Sequence, residues 1–361
     1  MSRSELPAMC IWITNAEPAE TLSMAILAKS DKLQERCPAG LHAGVVYPNN
    51  DKLQRSKILF QEVNDFVKIY PGATSILVKQ EWGLKGENTE FNDFLREQLS
   101  KDLRMRMLIT AQCTDLALAI IQSANLTVLD KIDEIYWAGG FDEAPKTSSL
   151  LGAKIPSPVH NNSYRDTYAT RYIAQFKKLR HKIAIVSKTS YSFGETMNIF
   201  NSRKVINKLT YLNSVGVEKI NWLLRDKEFW PGNVATEPRY MAEVPRFLEG
   251  VYSSSGIQVR SDAFVAAMVM FYPEFIHMRT LVKYSIVNTK THPDMDFRRD
   301  LISERELYAD CNAGPMNDLF SGKYANFYQC PYEHTLVKTI DIQAIENTVL
   351  SLLAKYNSRE R

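Results

Sequence analysis

"CIWITNAEPAETLSMAIL", residues 10–27, holds an apolar run, a polar turn and the opening of a helical pattern. The run 10–14 is rich in Ile, Trp and Thr, residue types that fit a pleated, buried strand. The turn Asn15-Ala16-Glu17-Pro18-Ala19-Glu20 then supplies acids where a helical pattern begins. The acids are a helix-start signal, through the helix dipole. A strand that feeds a helix through a short polar turn is the repeating unit of an α/β protein. Ligands of such proteins bind beyond the carboxyl ends of the strands. Asn15 and Glu20 stand at that place.

The pattern repeats along the chain. Apolar, β-branched runs at 10–14, 44–47, 74–78, 105–110, 134–137 and 182–187 read as strands. Helical spacing fills the intervals at 20–29, 51–70, 91–102, 114–124 and 167–179. Strands without polar alternation, joined by helical crossovers, predict an α/β fold: a mostly parallel open sheet with helices on both faces. Further on, 262–272 reads as an apolar helix, 281–287 and 335–340 as strands, and 342–356 as an amphipathic helix. Residues 203–259 read as a helical cap carrying Trp222, Phe229, Trp230 and Tyr240. No repeat or Gly/Ser linker divides the chain, so 1–361 is expected to form one domain.

Composition sets limits on partners. The 44 Lys and Arg nearly balance 41 Asp and Glu, for a net charge of +3. That gives no electrostatic basis for binding nucleic acid or an anionic membrane. Glycine is scarce, 15 of 361 residues, against a usual share of about 7%, which argues against long phosphate-cradling loops. No apolar stretch approaches the roughly 20 residues that span a bilayer. Residues 1–14 lack a signal-peptide pattern, so a cytoplasmic protein is expected. The five cysteines show no metal-ligand spacing and are expected as reduced, buried thiols.

Four polar clusters fall where strands end: Asn15 to Glu20, Cys113-Thr114-Asp115, "VHNNSYRDTYATRYI" (159–173), and Ser261-Asp262 in "RSDAFVAAMVM" (260–270). Their order and context resemble the nucleoside hydrolases, the inosine–uridine-preferring N-ribohydrolases. "MLITAQCTDLALAI" (107–120) resembles that family's strand-turn-helix around Pro-Leu-Thr-Asn, and "KIDEIYWAGG" (131–140) its strand ending in Met-Gly-Gly. "VHNNSYRDTYAT" (159–170) is similar to the substrate loop, Ala-Glu-Phe-Asn followed by Asp-Pro-Glu-Ala-Ala. "RSDAFVAAMVMFYPEF" (260–275) is similar to the late His-Asp-Pro-Leu-Ala helix, and "THPDMDFRRD" (291–300) to the segment ending Thr-Val-Val-Asp.

The resemblance implies a calcium ion held by Asp-x-Asp-Pro-Gly-x-Asp-Asp, a threonine carbonyl and the late Asp. The ion would bind the ribose diol and a water, which a paired Asp deprotonates for attack at C1′. This sequence departs from that pattern at its acids. Asn15 stands in place of the first metal-binding Asp, Ile13 in place of the structural Asp, and Ala19 in place of the general base. Glu20 replaces the second metal-binding Asp, and Thr114 and Asp262 are kept. Asn162 keeps the substrate-loop Asn, His160 replaces its Glu, and Ser261 replaces the late His. Either Asn49 or Asn50 matches an Asn that contacts substrate.

Each residue has a plainer role as well. Glu20 suits any first helical turn, Ser261 or Asp262 an N-cap, Thr114 or Asp115 a cap, and Asn162 a solvated loop. The expected function is therefore a nucleoside hydrolase-like protein with a ribosyl pocket. Its calcium site, formed from Asn15, Glu20, Thr114 and Asp262, holds the ion weakly or not at all, and its general base is gone. The alternative is an active N-ribohydrolase with a rewired centre, Glu17, Glu20 or His160 standing in as base. The expected ligand is a nucleoside or another ribosyl molecule, with a protein partner as the other candidate, and the resemblance implies homodimers or tetramers.

Overall fold

The structure is a computed structural model that describes residues 6–16, 18–61, 63–81, 83–123, 125–139, 166–186, 204–205, 207–208, 211, 261–288, 306–310 and 332–356. Strand β1 (Ala8–Thr14) is buried along its whole length, as a strand covered on both faces must be. It leads into α1 (Pro18–Leu27), then α2 (Lys32–Arg36) and β2 (Leu41–Val45). Next come α3 (Asn50–Ser56), β3 (Val67–Pro71), the small hairpin β4 (Val78–Gln80) and β5 (Gly83–Lys85), and α4 (Glu90–Ser100). β6 (Arg104–Ile109), α5 (Thr114–Ile121), β7 (Ile132–Ala138), α6 (Thr167–Ala174) and β8 (Ile183–Val186) continue the alternation. The last described elements are α7 (Ser261–Phe271), β9 (Ile276–Asn288), β10 (Glu306–Asp310), β11 (Tyr332–Ile340) and α8 (Ile342–Ala354).

Nine of these strands form one sheet in the order β10-β9-β11-β8-β7-β6-β1-β2-β3. All neighbours from β3 across to β11 pair in parallel, and only β9 runs against its neighbours. Alternate residues of each strand feed two cores. Trp12, Leu108, Tyr136 and Val186 face α1, α7 and α8, while Ile13, Ile109, Trp137 and Ile185 face α4, α5 and α6. The chain winds outward from β1 to β3, then returns to the other side of β1 as β6. The order of winding reverses between β1 and β6, and the crevice beyond their carboxyl ends is where such a sheet offers a binding site.

Three expectations need correction. The helix read over 51–70 stops early: α3 runs into a π-helical turn, Lys57–Gln61, and Val67–Pro71 is strand β3, paired in register with β2. The apolar spacing of Leu59, Phe60, Val63 and Val67 imitates a helix, while the local alternation of Val67 and Ile69 with Lys68 belongs to a strand at the sheet's edge. The strand expected at 74–78 is a connecting segment that reaches β4 only at Val78. The thiols of Cys10 and Cys37 are joined in a disulfide, their Cα atoms 5.2 Å apart, and Cys113 is a buried free thiol. Helices α1 and α2 double the chain back so that Ala39 N donates to Ala8 O and Cys10 N to Gly40 O. That path brings together two cysteines whose spacing carries no signal. Most of the cap region, 203–259, lies outside the described residues.

Candidate functional site

The ends of β1 and β6 are braced together. Thr110 donates to the Ile13 carbonyl from its backbone N (2.8 Å) and from its Oγ1 (3.1 Å). Trp12 Nε1 donates to Thr110 Oγ1 at 2.9 Å. Beyond this brace the chain turns sharply. Ala16 takes φ +49°, a region that an L-residue enters at some cost. The turn is held by Ala16 N donating to Thr14 Oγ1 at 3.0 Å and by Thr21 Oγ1 donating to Ala16 O at 3.1 Å. Asn15 and Glu20, at either side of this turn, are each 1% exposed. A carboxylate so deeply buried at a helix start has the positive end of the helix dipole to favour its charge.

Helix α7 packs beside α1. Ser30, just past the end of α1, hydrogen-bonds Tyr272, just past the end of α7, at 2.7 Å. The two helices, ten and eleven residues long, therefore run in the same direction with their N-termini at one end. The segment bearing Asn15 and Glu20 and the first turn bearing Ser261 and Asp262 share the carboxyl edge of the sheet. The side chains of Ala19, Ser261 and Asp262, and the whole of Glu17, His160 and Asn162, lie outside the described residues.

Thr114 opens α5 on the same edge, and its Oγ1 donates to Asp166 Oδ2 at 2.7 Å. Asp166 also accepts from Leu77 N on Oδ2 and caps α6 by accepting from Ala169 N on Oδ1. Asp115 accepts from Ala73 N (2.8 Å) and from Thr89 Oγ1 (2.6 Å). Together the two acids pin the segment 73–77 to α5 and α6. Gly72 makes this possible, since a Cβ there would lie 2.8 Å from Asp115 Oδ2. Asn49 faces solvent and caps α3, its Oδ1 accepting from Lys52 N at 2.7 Å; Asn50 is also exposed.

Burial pushes the Asp115 carboxyl up to about 6, against the opposing pull of its bonds from Thr89 and Ala73. A carboxyl with a folded pKa above its unfolded value binds its proton more tightly in the folded state. Its contribution to stability is full below about pH 4 and is lost as pH rises through about 6. Asp115→Asn is expected to cost stability most below about pH 4, where the wild-type carboxyl is protonated, and to flatten the dependence between pH 4 and pH 7 so that the deficit shrinks as pH rises. Urea unfolding at a series of pH values reads both effects.

Sequence reasoning passed over two residues here, Asp166 and Gln112. Gln112, between the brace and α5, is fully buried, and neither Nε2 nor Oε1 makes a hydrogen bond. Leaving a buried polar group unsatisfied costs about 1–3 kcal/mol. A lone glutamine between Ala111 and Cys113 forms no motif, so nothing in the pattern of the chain marks it.

Calcium takes six to eight oxygens, several of them anionic. Asn15 is neutral, Glu20 is the single described carboxylate flanking the turn after β1, and among the described residues no three of His, Cys, Asp and Glu gather to hold a metal.

No protein-family model matches this sequence, and no curated protein matches it. Solved structures do. An inosine-guanosine nucleoside hydrolase superposes with a TM-score of 0.56 at 12% identity, covering 96% of this chain and 99% of that one. A purine-preferring ribonucleoside hydrolase from Gardnerella vaginalis gives 0.55 at 11% identity, covering 96% and 98%. Identities this low establish the fold and leave the chemistry to the side chains.

Proposed function

We propose that this chain, which has the nucleoside hydrolase fold, binds a nucleoside or another ribosyl small molecule at the crevice beyond β1 and β6 and no longer hydrolyses it. The observation that carries this reading is Asn15. It is buried at the end of β1, where the family resemblance calls for a metal-binding acid, and it brings no charge. The sequence adds Ala19 at the position of the general base, and a methyl group accepts no proton. General-base help is worth typically 10²–10⁴-fold; its loss together with metal activation of water removes most of the turnover. Calcium, in this reading, is held weakly or not at all, because Glu20 and Asp262 are the only anions left among the four matched positions.

The test is ribose release from inosine, guanosine and p-nitrophenyl riboside, with millimolar calcium or with EDTA. The expected result is no release above the uncatalysed rate, alongside a rise in melting temperature with at least one riboside. Robust turnover that disappears in Asp262→Ala overturns it. That result would favour the second reading, an N-ribohydrolase with a rewired centre. Its support is the buried Glu20 carboxylate in the first turn of α1, and Glu20→Gln would then abolish turnover.

A further inference from the structure

Polar side chains along 110–115 are used up by the fold, with one exception. Thr110 bonds the Ile13 carbonyl, Thr114 bonds Asp166, and Asp115 bonds Ala73 and Thr89. Gln112 is as buried as any of them, and both ends of its carboxamide are without a hydrogen bond. Native proteins seldom leave a buried amide without a protein partner at both ends unless something else completes it.

Its place says what that something is. Gln112 lies two residues past Thr110, and Asn15 two residues past Ile13, and Thr110 N bonds Ile13 O at 2.8 Å. Both positions are therefore within about 7 Å of chain from one hydrogen bond, at the reversal of strand order. A carboxamide is itself neutral and suits a neutral polar ligand. It offers one acceptor and one donor side by side, the complement of two neighbouring hydroxyls.

Resting on the riboside reading above, we infer that Gln112 is a ligand-binding residue that reads a vicinal diol directly, its Oε1 accepting from one hydroxyl and its Nε2 donating to the other. The ligand class is thus a sugar with free adjacent hydroxyls. A 2′-deoxy sugar leaves the amide half-satisfied and is rejected.

Calorimetric titration in EDTA of inosine, guanosine and 2′-deoxyinosine into wild type and Gln112→Met tests this, with melting temperatures of the free proteins. Wild type is expected to prefer inosine over 2′-deoxyinosine by about tenfold or more, one hydrogen bond's worth. Gln112→Met is expected to lose that preference, to bind inosine about tenfold more weakly, and to melt about 2 °C higher, since it no longer buries an amide without a protein partner. A purely structural glutamine gives the opposite: the variant melts lower and keeps both affinity and preference, which overturns the inference alone. If wild type binds neither inosine nor guanosine, the riboside reading fails and takes this inference with it. Gln112→Leu serves the same comparison if the methionine variant does not fold.

Discussion

Asp166→Ala is expected to lower the free energy of unfolding by about 4 kcal/mol, a large part of the 5–15 kcal/mol that holds a typical domain together. The carboxylate is fully buried and accepts from Thr114 Oγ1 at 2.7 Å, Leu77 N at 2.9 Å and Ala169 N at 3.0 Å. The bond to Ala169 is the N-cap of α6, worth about 1 kcal/mol. The other two tie the start of α5 and the segment before β4 to the same acid, each a bond to a charged acceptor worth about 1.5–3 kcal/mol. Alanine leaves all three donors buried and unmet. Asp166→Asn keeps the side-chain volume and one accepting oxygen, so its loss should be near half. Urea unfolding monitored by tryptophan fluorescence measures both. A loss below about 1 kcal/mol for Asp166→Ala, less than a single hydrogen bond's worth, would mean that these contacts are not formed in the folded protein.

The second large effect is on the disulfide. Cys10 and Cys37 close a loop with a sequence separation of 27 and are both fully buried. Closing a loop of that length removes denatured-state entropy worth about 3.5 kcal/mol in the chain-entropy account. The loop contains the turn after β1 and the whole of α1, so the cross-link also fixes the base of the segment that carries Asn15 and Glu20. The double variant Cys10→Ser, Cys37→Ser is expected to lose about that much stability by urea unfolding, and dithiothreitol should destabilise the wild type only. Identical unfolding of wild type with and without reductant would show the bond to be absent. Among the described residues no helix is long and apolar enough to cross a membrane.

The sheet was legible because its central strands are buried on both faces. An unbroken apolar run such as "CIWIT" has few other readings, and β1, β6 and β7 fall within three residues of their expected bounds. Edge strands were harder. β3 alternates Val67 and Ile69 with Lys68 over a few residues and is masked by the helical spacing before it. β9, where Met278 and Leu281 are half exposed, extends five residues upstream of the expected start. Of the site, the positions of Asn15, Glu20 and Thr114 at strand ends followed from the strand-turn-helix pattern. Local pattern did not distinguish Asn49 as a helix cap from a substrate contact, since both roles want the same residue in the same turn. Asp166 and Gln112 matter because of partners far along the chain, held or lacking, and such pairing leaves no local mark. Asp166 bonds Leu77 across 89 positions.

Binding and catalysis separate in a single titration: inosine added to the wild-type protein in EDTA, with heat recorded and free ribose measured at the end. A ribosyl-binding protein without its general base gives saturable binding and no ribose beyond the uncatalysed background. Ribose released in many-fold excess over protein, or no binding of any riboside, would contradict that assignment.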